Sequence, residues 1–373
     1  MAPAGVTVGE TSEEEVLRPV LAIFEEHRRW VTRQNNGTEL MLGPGDDCAV
    51  YDLSAGRTVV TIDSQTQDQD YLLEWPNGYR TTGFDMGWKS AAQNVADVAA
   101  MGAIPTGLVI SLVLPPDTSV DMVQDMARGY CAALQSLGAT SCTVGGGDVG
   151  SGTEIGLTVA AFGLIPAKTS TAVSGDCGTP VVRRSGAQPG DVVVLAGTVG
   201  RAAAGLDLLR ASQGPVPNLD TAAPESWAHP RSDLSALMAS QLRPQPPIVQ
   251  GPILAEHGAT AMIDVSDGLL RDAERLATAS NVRIELDSDL LDPLVEPLRP
   301  AASELGLDPL DWVLSGGEDH GLLACIPSSK PLPEGVRAIG SCGQLTGREA
   351  CVLVDGKARI HRGWDHFAAK DRF

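Results

Sequence analysis

The chain has 373 residues, 43% of them hydrophobic and 20% charged, which is typical of a globular protein long enough to form two domains. Its formal net charge of -20 argues against nucleic acid and anionic membranes as partners, because both are polyanions that bind surfaces rich in Lys and Arg. The sequence has no apolar run of about 18 residues, and its seven cysteines form no CxxC pair, so we expect a soluble, cytoplasmic protein with reduced thiols.

The first part of the chain predicts alternating helices and strands. Thr11 and Ser12, followed by three glutamates, predict the capped start of an amphipathic helix. Two β-branched runs at 49–53 and 57–63 flank a short turn and favour a hairpin. Further on, the pattern predicts helices over 84–101 and 120–137 and strands over 106–114 and 156–164, which is typical of a mixed α/β domain.

A domain boundary is expected near residue 170, because residues 167–186 are rich in Thr, Ser, Gly and Pro. This divides the chain into an N-terminal domain, 1–170, and a C-terminal domain, 171–373. The second domain begins with a predicted strand at 191–196 and a helix at 201–209, and helix, strand and helix follow from 248 to 279. Residues 212–235 lack any pattern and predict a surface insertion.

Acidic residues follow glycines in four short motifs: GPGDDCAV (43–50), GGGD (145–148), IDVSDGL (263–269) and SGGEDH (315–320). Asp63 at the end of a predicted strand and Asp97 within the predicted helix 84–101 add two more acids. Each acid alone could be an ordinary turn residue, and Ser266 or Asp267 could be a helix N-cap. Together they recur where an unpaired carboxylate would be costly to bury, and divalent cations would relieve that cost.

Two of these motifs could also accept phosphate. GGGD predicts a turn whose backbone is open to a phosphate or an ion, and the helix entry after Asp267 favours phosphate oxygens. The sequence contains no GxxxxGK[ST] loop and no HRD/DFG pair, so it is neither a P-loop NTPase nor a protein kinase. It also lacks GxSxG and HExxH, which removes the corresponding hydrolase classes.

Seven ordered segments of the chain resemble the thiamine-monophosphate kinase family, in the superfamily of aminoimidazole ribonucleotide synthetase. The segments are GPGDDCAV, QNVADVAAMGAIP, GGGD, RRSGAQPGD, AMIDVSDGLLRD, LSGGED and RGWDHF, and they span nearly the whole chain. The resemblance implies a two-domain, PurM-like α/β (α+β) fold. In such a fold a mixed-sheet N-terminal domain pairs with that of a second subunit in a homodimer, and the C-terminal domain is α/β.

The same resemblance implies ATP-dependent phosphorylation of thiamine monophosphate to thiamine diphosphate, assisted by several Mg²⁺ ions. A phosphate monoester has a second pKa of about 6, so it is already a nucleophile at neutral pH and no catalytic general base is expected. Two alternatives stay open. One is another ATP-dependent enzyme of the superfamily with a different phosphorylated acceptor, and the other is a non-catalytic relative that binds metal or nucleotide.

Carried over position by position, the resemblance also implies the residues of the site. The implied Mg²⁺ ligands are Asp47, Asp63, Asp97, Asp148, Asp264 and Asp267, with Thr61 and Ile62 at the metal-proximal end of their strand. The implied ATP contacts are Gly147, Asp148, Arg184 and Ser266. Glu318 and Trp364 would contact the thiamine part, where a Trp suits a cationic thiazolium or a flat pyrimidine, although Trp364 could equally be a packed C-terminal residue.

Three departures from the family pattern fall near these positions. Asp70, which we expect on the acceptor side, stands where the family usually has a His, and a carboxylate cannot donate to the acceptor phosphate as an imidazole can. Residues 149–150 follow GGGD where threonines are common, and His320 and Gly321 follow GGED in place of Tyr and Glu. The departures concern recognition of the acceptor more than binding of metal.

Overall fold

The computed structural model describes residues 6–34, 38–42, 50–53, 56–167, 181–217, 219, 234–345 and 351–359. Its helices are α1 (Glu13–Gln34), α2 (Gly83–Ala100), α3 (Val120–Ser136), α4 (Arg201–Arg210), α5 (Leu234–Leu242), α6 (Gln250–Glu256), α7 (Leu269–Ser280), α8 (Ser288–Val295), α9 (Arg299–Leu305) and α10 (Pro309–Ser315). Its strands are β1 (Thr38–Leu42), β2 (Val50–Leu53), β3 (Gly56–Thr66), β4 (Ile104–Leu114), β5 (Thr143–Ser151), β6 (Gly156–Pro166), β7 (Asp191–Ala196), β8 (Ala261–Val265), β9 (Arg283–Leu286), β10 (Gly321–Pro327), β11 (Val336–Gly343), β12 (Cys351–Val354) and β13 (Lys357–Ala358).

The N-terminal half is built on a four-stranded sheet in the order β3-β6-β4-β5. β6 pairs antiparallel with both β3 and β4, whereas β4 and β5 run parallel, so the sheet is mixed as expected. Side chains alternate along β6 between buried and half-buried positions, because one face of the sheet packs against α2 and the other does not.

Two predictions about this half are wrong. The runs at 49–53 and 57–63 do not form a hairpin, because β2 pairs with β1 and β3 pairs with β6, which lies about 100 residues further along. The GGGD motif is not a turn but the middle of β5, where Gly147 pairs with Ile110 and Asp148 with Ser111. At Gly147 a Cβ atom would lie 1.9 Å from the Ile110 carbonyl oxygen, so glycine allows a close approach of β4.

The C-terminal half is built on a seven-stranded sheet in the order β13-β12-β9-β11-β7-β10-β8. The run 191–196 becomes β7, an interior strand of this sheet, and Val193, Val194 and Leu195 are fully buried. β8 and β10 are antiparallel neighbours in which Val265 pairs with Gly321. The loop that follows β8 and the loop that precedes β10 therefore lie side by side at one edge of the sheet.

Helix α2 contacts both halves of the protein. It packs on β3, β4 and β6 of the first sheet and also contacts α5, α6, β8 and β10 of the second half. Trp88 Nε1 donates to the carbonyl of Pro244 (2.8 Å), and buried Arg243 forms an ion pair with Asp85 at the start of the helix. Small side chains allow this double packing, and all residues of α2 except Gln93 and Asp97 are buried. Within the described ranges no helix is long and apolar enough to cross a membrane.

Candidate active site

A cavity of about 280 Å³ opens where the two halves meet. It is lined by Asp63, Ser64, Gln69, Asp70, Gln93, Ala203, Leu206, Arg210, Gln241, Ser266, Asp267, Gly317, Glu318 and His320. The lining combines β3, α2 and the loop after β3 with α4, α5 and the two loops beside β8 and β10. Residues far apart in the sequence therefore meet in one concave site that is lined mainly by polar side chains. Concave sites between domains are usual locations for ligands.

On the N-terminal side, α2 holds two residues of β3. Gln93 and Asp97 are one helical turn apart, so they project from the same side of the helix. Gln93 Nε2 donates to Asp63 Oδ2, and the Thr61 hydroxyl donates to Asp97 Oδ2 (2.7 Å). The predicted ligands Asp63 and Asp97 are thus fixed side by side.

On the C-terminal side, Asp264 lies at the end of β8, buried, and faces His320. His320 Nδ1 lies 3.1 Å from Asp264 Oδ2. Burial by itself would lower the pKa of His320, but the hydrogen bond and charge of Asp264, with the charges of Glu318 and Asp97, raise the pKa overall. His320, which replaces the family's Tyr, is therefore engaged by a predicted metal ligand.

The carboxylates of the two halves influence each other across the interface. Burial first, and then the negative charge of Asp264, raise the pKa of Asp97 to about 6, with a smaller contribution from Asp63 and against the hydrogen bond from Thr61. Such a rise means that ionised Asp97 is unfavourable in this position unless a cation is near. The described residues include no group of three His, Cys, Asp or Glu side chains already arranged as a metal site.

Ser266 and Asp267 are not helix caps. The N-cap of α7 is Gly268, which makes no side-chain cap. Asp267 lines the cavity and forms an ion pair with Arg275 (2.6 Å), and its backbone N–H donates to the buried Asp272 carboxylate. Burial raises the pKa of Asp272 to about 6, with further raising contributions from Asp264 and Asp267. The hypothesis that Ser266 or Asp267 is the N-cap of a helix is therefore wrong.

The loop before β10 gives its consecutive residues different roles. Gly317 lies against Ser266, since a Cβ atom there would be 2.1 Å from the Ser266 carbonyl oxygen. Glu318 has a left-handed backbone (φ 66°), and its N–H donates to Ser266 O. Asp319 points away to the start of α4, where its carboxylate accepts from the N–H groups of Arg201 and Ala202. Asp319 is therefore a helix cap for α4.

Asp70 and Glu318 lie on opposite sides of the cavity and are joined through Lys89. Asp70 Oδ2 accepts from the backbone N–H of Thr66 (2.6 Å), which closes the turn after β3. Lys89 Nζ donates to the Asp70 carbonyl oxygen (2.9 Å) and to Glu318 Oε2 (2.7 Å). Gln241 Nε2 of α5 donates to the same Glu318 oxygen (2.5 Å).

Several predicted site residues are not brought to this cavity. Asp148 is exposed and lies in register with Ser111, Thr158 and Ser64, on the sheet face opposite to Asp63. The Ile62 side chain lies on that face too and is 67% exposed. Arg184 is exposed beside the C-terminal end of α7, about 18 Å of helix away from the Ser266 loop. Asp47 and Trp364 lie outside the described residues.

Residues 45–165 match the N-terminal domain, and residues 188–340 the C-terminal domain, of AIR synthase related protein. A thiamine-monophosphate kinase from Mycobacterium tuberculosis is 37% identical over 344 residues, which cover 92% of this chain and 91% of that protein. The chain belongs to the thiamine-monophosphate kinase family. The resemblance deduced from the motifs is thereby confirmed.

Solved structures of the thiamine-monophosphate kinase family share the fold. The crystal structure of thiamine-monophosphate kinase from Stenotrophomonas maltophilia K279a is 30% identical, covers 90% of this chain and 97% of that chain, and has a TM-score of 0.69. AaThiL complexed with AMPPCP and TMP is 28% identical, covers 96% and 99% of the two chains, and also has a TM-score of 0.69. The predicted two-domain, PurM-like fold with mixed sheets is confirmed.

No role was predicted from the sequence for Gln93, the first residue of the motif QNVADVAAMGAIP, or for Lys89 and Gln241. Gln93 carried a readable signal, because it lies four residues before Asp97 in a helix made largely of small and apolar residues. Lys89 carried a weaker one, a single basic residue in that same helix. Gln241 carried none, since its role depends on where α5 packs against the Glu318 loop.

Proposed function

We propose that this chain transfers the γ-phosphoryl group of ATP to thiamine monophosphate and releases thiamine diphosphate. The observation that carries the proposal is that, in a chain of this family, Asp63 lines the cavity between the two domains while the buried Asp97 beside it feels the charges of both Asp63 and Asp264. The family's kinases, and the relative complexed with AMPPCP and TMP, support both substrates. We place the reaction in the cytoplasm, where the five described cysteines, which are free thiols, would remain reduced.

The site needs no general base. The acceptor phosphate loses its second proton near pH 6, so it attacks as a dianion at neutral pH. We therefore assign His320 no role as a base; it lines the cavity, and its Nδ1 lies 3.1 Å from Asp264 Oδ2, where it orients that carboxylate. What the protein supplies is alignment of two anions and stabilisation of the charge on the transferred group.

Several Mg²⁺ ions fit the acids of this site. The raised pKa of Asp97 means that its ionised form would be stabilised by a nearby cation. Carboxylate oxygens are the ligands that Mg²⁺ prefers. The family resemblance assigns the ions to Asp47, Asp63, Asp97, Asp148, Asp264 and Asp267, with Thr61 and Ile62 beside them. Of these, Asp63 and Asp267 line the cavity, whereas Asp148 and Ile62 lie on the other face of their sheet. When bound, Mg²⁺ would screen the repulsion between ATP and the acceptor phosphate.

The remaining site residues divide between the two substrates. By the family resemblance Ser266, Gly147, Asp148 and Arg184 belong to the ATP side, and Asp70, Glu318 and Trp364 belong to the acceptor side. Of the four on the ATP side, Ser266 lines the cavity. On this assignment residues 1–170 carry most of the metal ligands, and residues 171–373 close the cavity from the other side. Placement of Asp70 and Glu318 at the cavity supports the acceptor half of the assignment.

Incubation of the purified protein with ATP, Mg²⁺ and thiamine monophosphate tests the proposed reaction directly. We expect ADP and thiamine diphosphate in equal amounts, measured by chromatography, and no product when EDTA removes the metal. ADP without diphosphate, or product only with another phosphorylated acceptor, would show that the acceptor is wrong. No ATP turnover with any acceptor would favour the non-catalytic alternative.

A homodimer is the second part of the proposal. The sheet face opposite α2 exposes Val60 (63%), Ile62 (67%) and Val113 (39%), which lie in register with half-buried residues of β6. Packing against the same face of a second copy would remove these side chains from water. Each fully buried Val or Ile would stabilise the dimer by about 1.5–3 kcal/mol. Asp148 lies on the same face, so dimerisation would bring it close to the partner.

Val60→Asp tests the dimer. We expect the wild type to sediment at about twice the 38.9 kDa chain mass and the variant to sediment as a monomer, because a buried carboxylate opposite an apolar surface is costly. Val249→Asp is the matched control, since Val249 is 53% exposed but lies before α6, away from the sheet. A monomeric wild type, or equal loss of association in both variants, would contradict this interface.

A further inference from the structure

Lys89 is a buried cation in a helix that otherwise consists mostly of small and apolar residues. Its side chain is 4% exposed, and it is not among the described residues that line the cavity. Burial of an ammonium group is costly unless it is paired and hydrogen-bonded. Lys89 meets this condition through two bonds, to the Asp70 carbonyl oxygen and to Glu318 Oε2.

These two bonds connect the two halves of the protein at the cavity. Asp70 belongs to the turn after β3, and Glu318 belongs to the loop before β10. Gln241 of α5 donates to the same Glu318 oxygen, and all three of these partners line the cavity. Lys89 therefore lies behind the acceptor side of the site and holds its two walls in one relative position.

Glu318 is fixed so that one carboxylate oxygen remains for a ligand. Its backbone N–H is bonded to Ser266 O, and its Oε2 accepts from both Lys89 and Gln241. Oε1 has no hydrogen-bond partner among the described residues, and the side chain is 33% exposed at the cavity. A carboxylate oxygen so placed suits a cationic ring or an amino group on the acceptor.

We propose that Lys89 is a positioning residue for acceptor recognition, acting through Glu318 and the Asp70 turn. The proposal rests on the proposed function, since it concerns the acceptor side of the same site. Lys89 holds the Glu318 carboxylate in one orientation, so that Oε1 meets the cationic part of the acceptor. Neither bond of Lys89 goes to a residue assigned to ATP, so ATP binding would be little affected by Lys89.

Lys89→Met tests the proposal, because Met fills the volume of the stem without the charge. We expect the KM for thiamine monophosphate to rise about 10-fold or more, as for loss of a charge-assisted hydrogen bond, while the KM for ATP changes less than about 2-fold. Lys330→Met, at an exposed site after β10, is the control and should leave both values unchanged. An unchanged acceptor KM in Lys89→Met would overturn the proposal.

A double-mutant cycle separates this role from a merely structural one. If Lys89 acts through Glu318, Lys89→Met should change the acceptor KM much less in a Glu318→Gln background than in the wild type. Equal changes in both backgrounds would show that Lys89 only supports the fold. A wild type that makes no diphosphate would count against the proposed function itself and would remove both proposals.

Gln241→Met provides a second variant if Lys89→Met fails to fold. It removes the other donor to Glu318 Oε2 and leaves the ion pair in place. We expect a smaller rise in the acceptor KM, about 2- to 5-fold, again without a change for ATP. If this variant also leaves the acceptor KM unchanged, Glu318 is not the group that these donors position.

Discussion

Asp97→Asn should reduce kcat by about 100-fold or more while the folded protein becomes more stable without metal. Asn keeps the shape and an acceptor for the Thr61 hydroxyl, but it removes the charge that faces Asp264 and Asp63. Loss of one group that stabilises transition-state charge typically costs about 10²–10³ in kcat. Steady-state kinetics at saturating Mg²⁺ would measure the loss.

The gain in stability follows from the pKa of Asp97, which is raised from 3.8 to about 6. Because the folded-state pKa lies above the unfolded value, the contribution of Asp97 to the free energy of unfolding is fully present below about pH 4. This contribution is lost as the pH rises through 6. Above that pH the ionised carboxylate costs on the order of 1–3 kcal/mol. Urea unfolding in EDTA at pH 5 and pH 7.5 should therefore show that the free energy of unfolding of Asp97→Asn exceeds that of the wild type by a larger margin at the higher pH.

Asp117→Asn is the matched control for Asp97→Asn, because Asp117 is an exposed aspartate in the turn before α3. Asp117→Asn should leave kcat unchanged, and also the free energies of unfolding measured at the two pH values. Near-normal turnover of Asp97→Asn would remove this residue from the reacting site. A pH profile equal to that of the wild type would show that the carboxylates do not crowd one another.

Gly147→Ala should destabilise the fold by about 3 kcal/mol or more. A Cβ atom at this position would lie 1.9 Å from the Ile110 carbonyl oxygen and 2.9 Å from the Ile110 carbonyl carbon, both of which are backbone atoms of β4. Backbone cannot rotate away as a flexible side chain does, so β4 and β5 would have to separate. Equilibrium unfolding in urea would measure the loss as a lower midpoint.

Gly146→Ala is a close control for Gly147→Ala. It is the preceding residue in β5, and a Cβ atom there would meet nothing within 4 Å. Its effect on the unfolding free energy should stay within about 1 kcal/mol. Equal stability of Gly147→Ala and the wild type would mean that β4 and β5 do not pair in the register described here.

Local sequence signals predicted most of the individual elements. The alternation of small and apolar residues with Gly102 predicted 84–101, and the structure has α2 at Gly83–Ala100. The run DVVVLA predicted β7 with its observed bounds. Such segments are readable because their periodicity reflects which side chains are buried, and burial dominates their stability.

Pairing between elements was not readable from local signals. The runs at 49–53 and 57–63 resemble a hairpin, yet their partners are β1 and β6, because sheet register depends on contacts far away in the sequence. GGGD likewise resembles a turn when only its local sequence is considered. Glycine is a poor strand former, but parallel pairing with β4 at a close approach overrides that preference.

The order of the motifs was enough to identify the family and to select the acids, including Asp63, Asp97 and Asp264. Only the tertiary structure decided how those acids meet: α2 is buried between both halves and presents Asp97 beside Asp63, while the pairing of β8 with β10 brings Asp264 to His320. It also separated Asp319, a helix cap, from Glu318, a cavity residue one position earlier. A sequence motif records residue types, whereas the direction of each side chain depends on backbone conformation and packing.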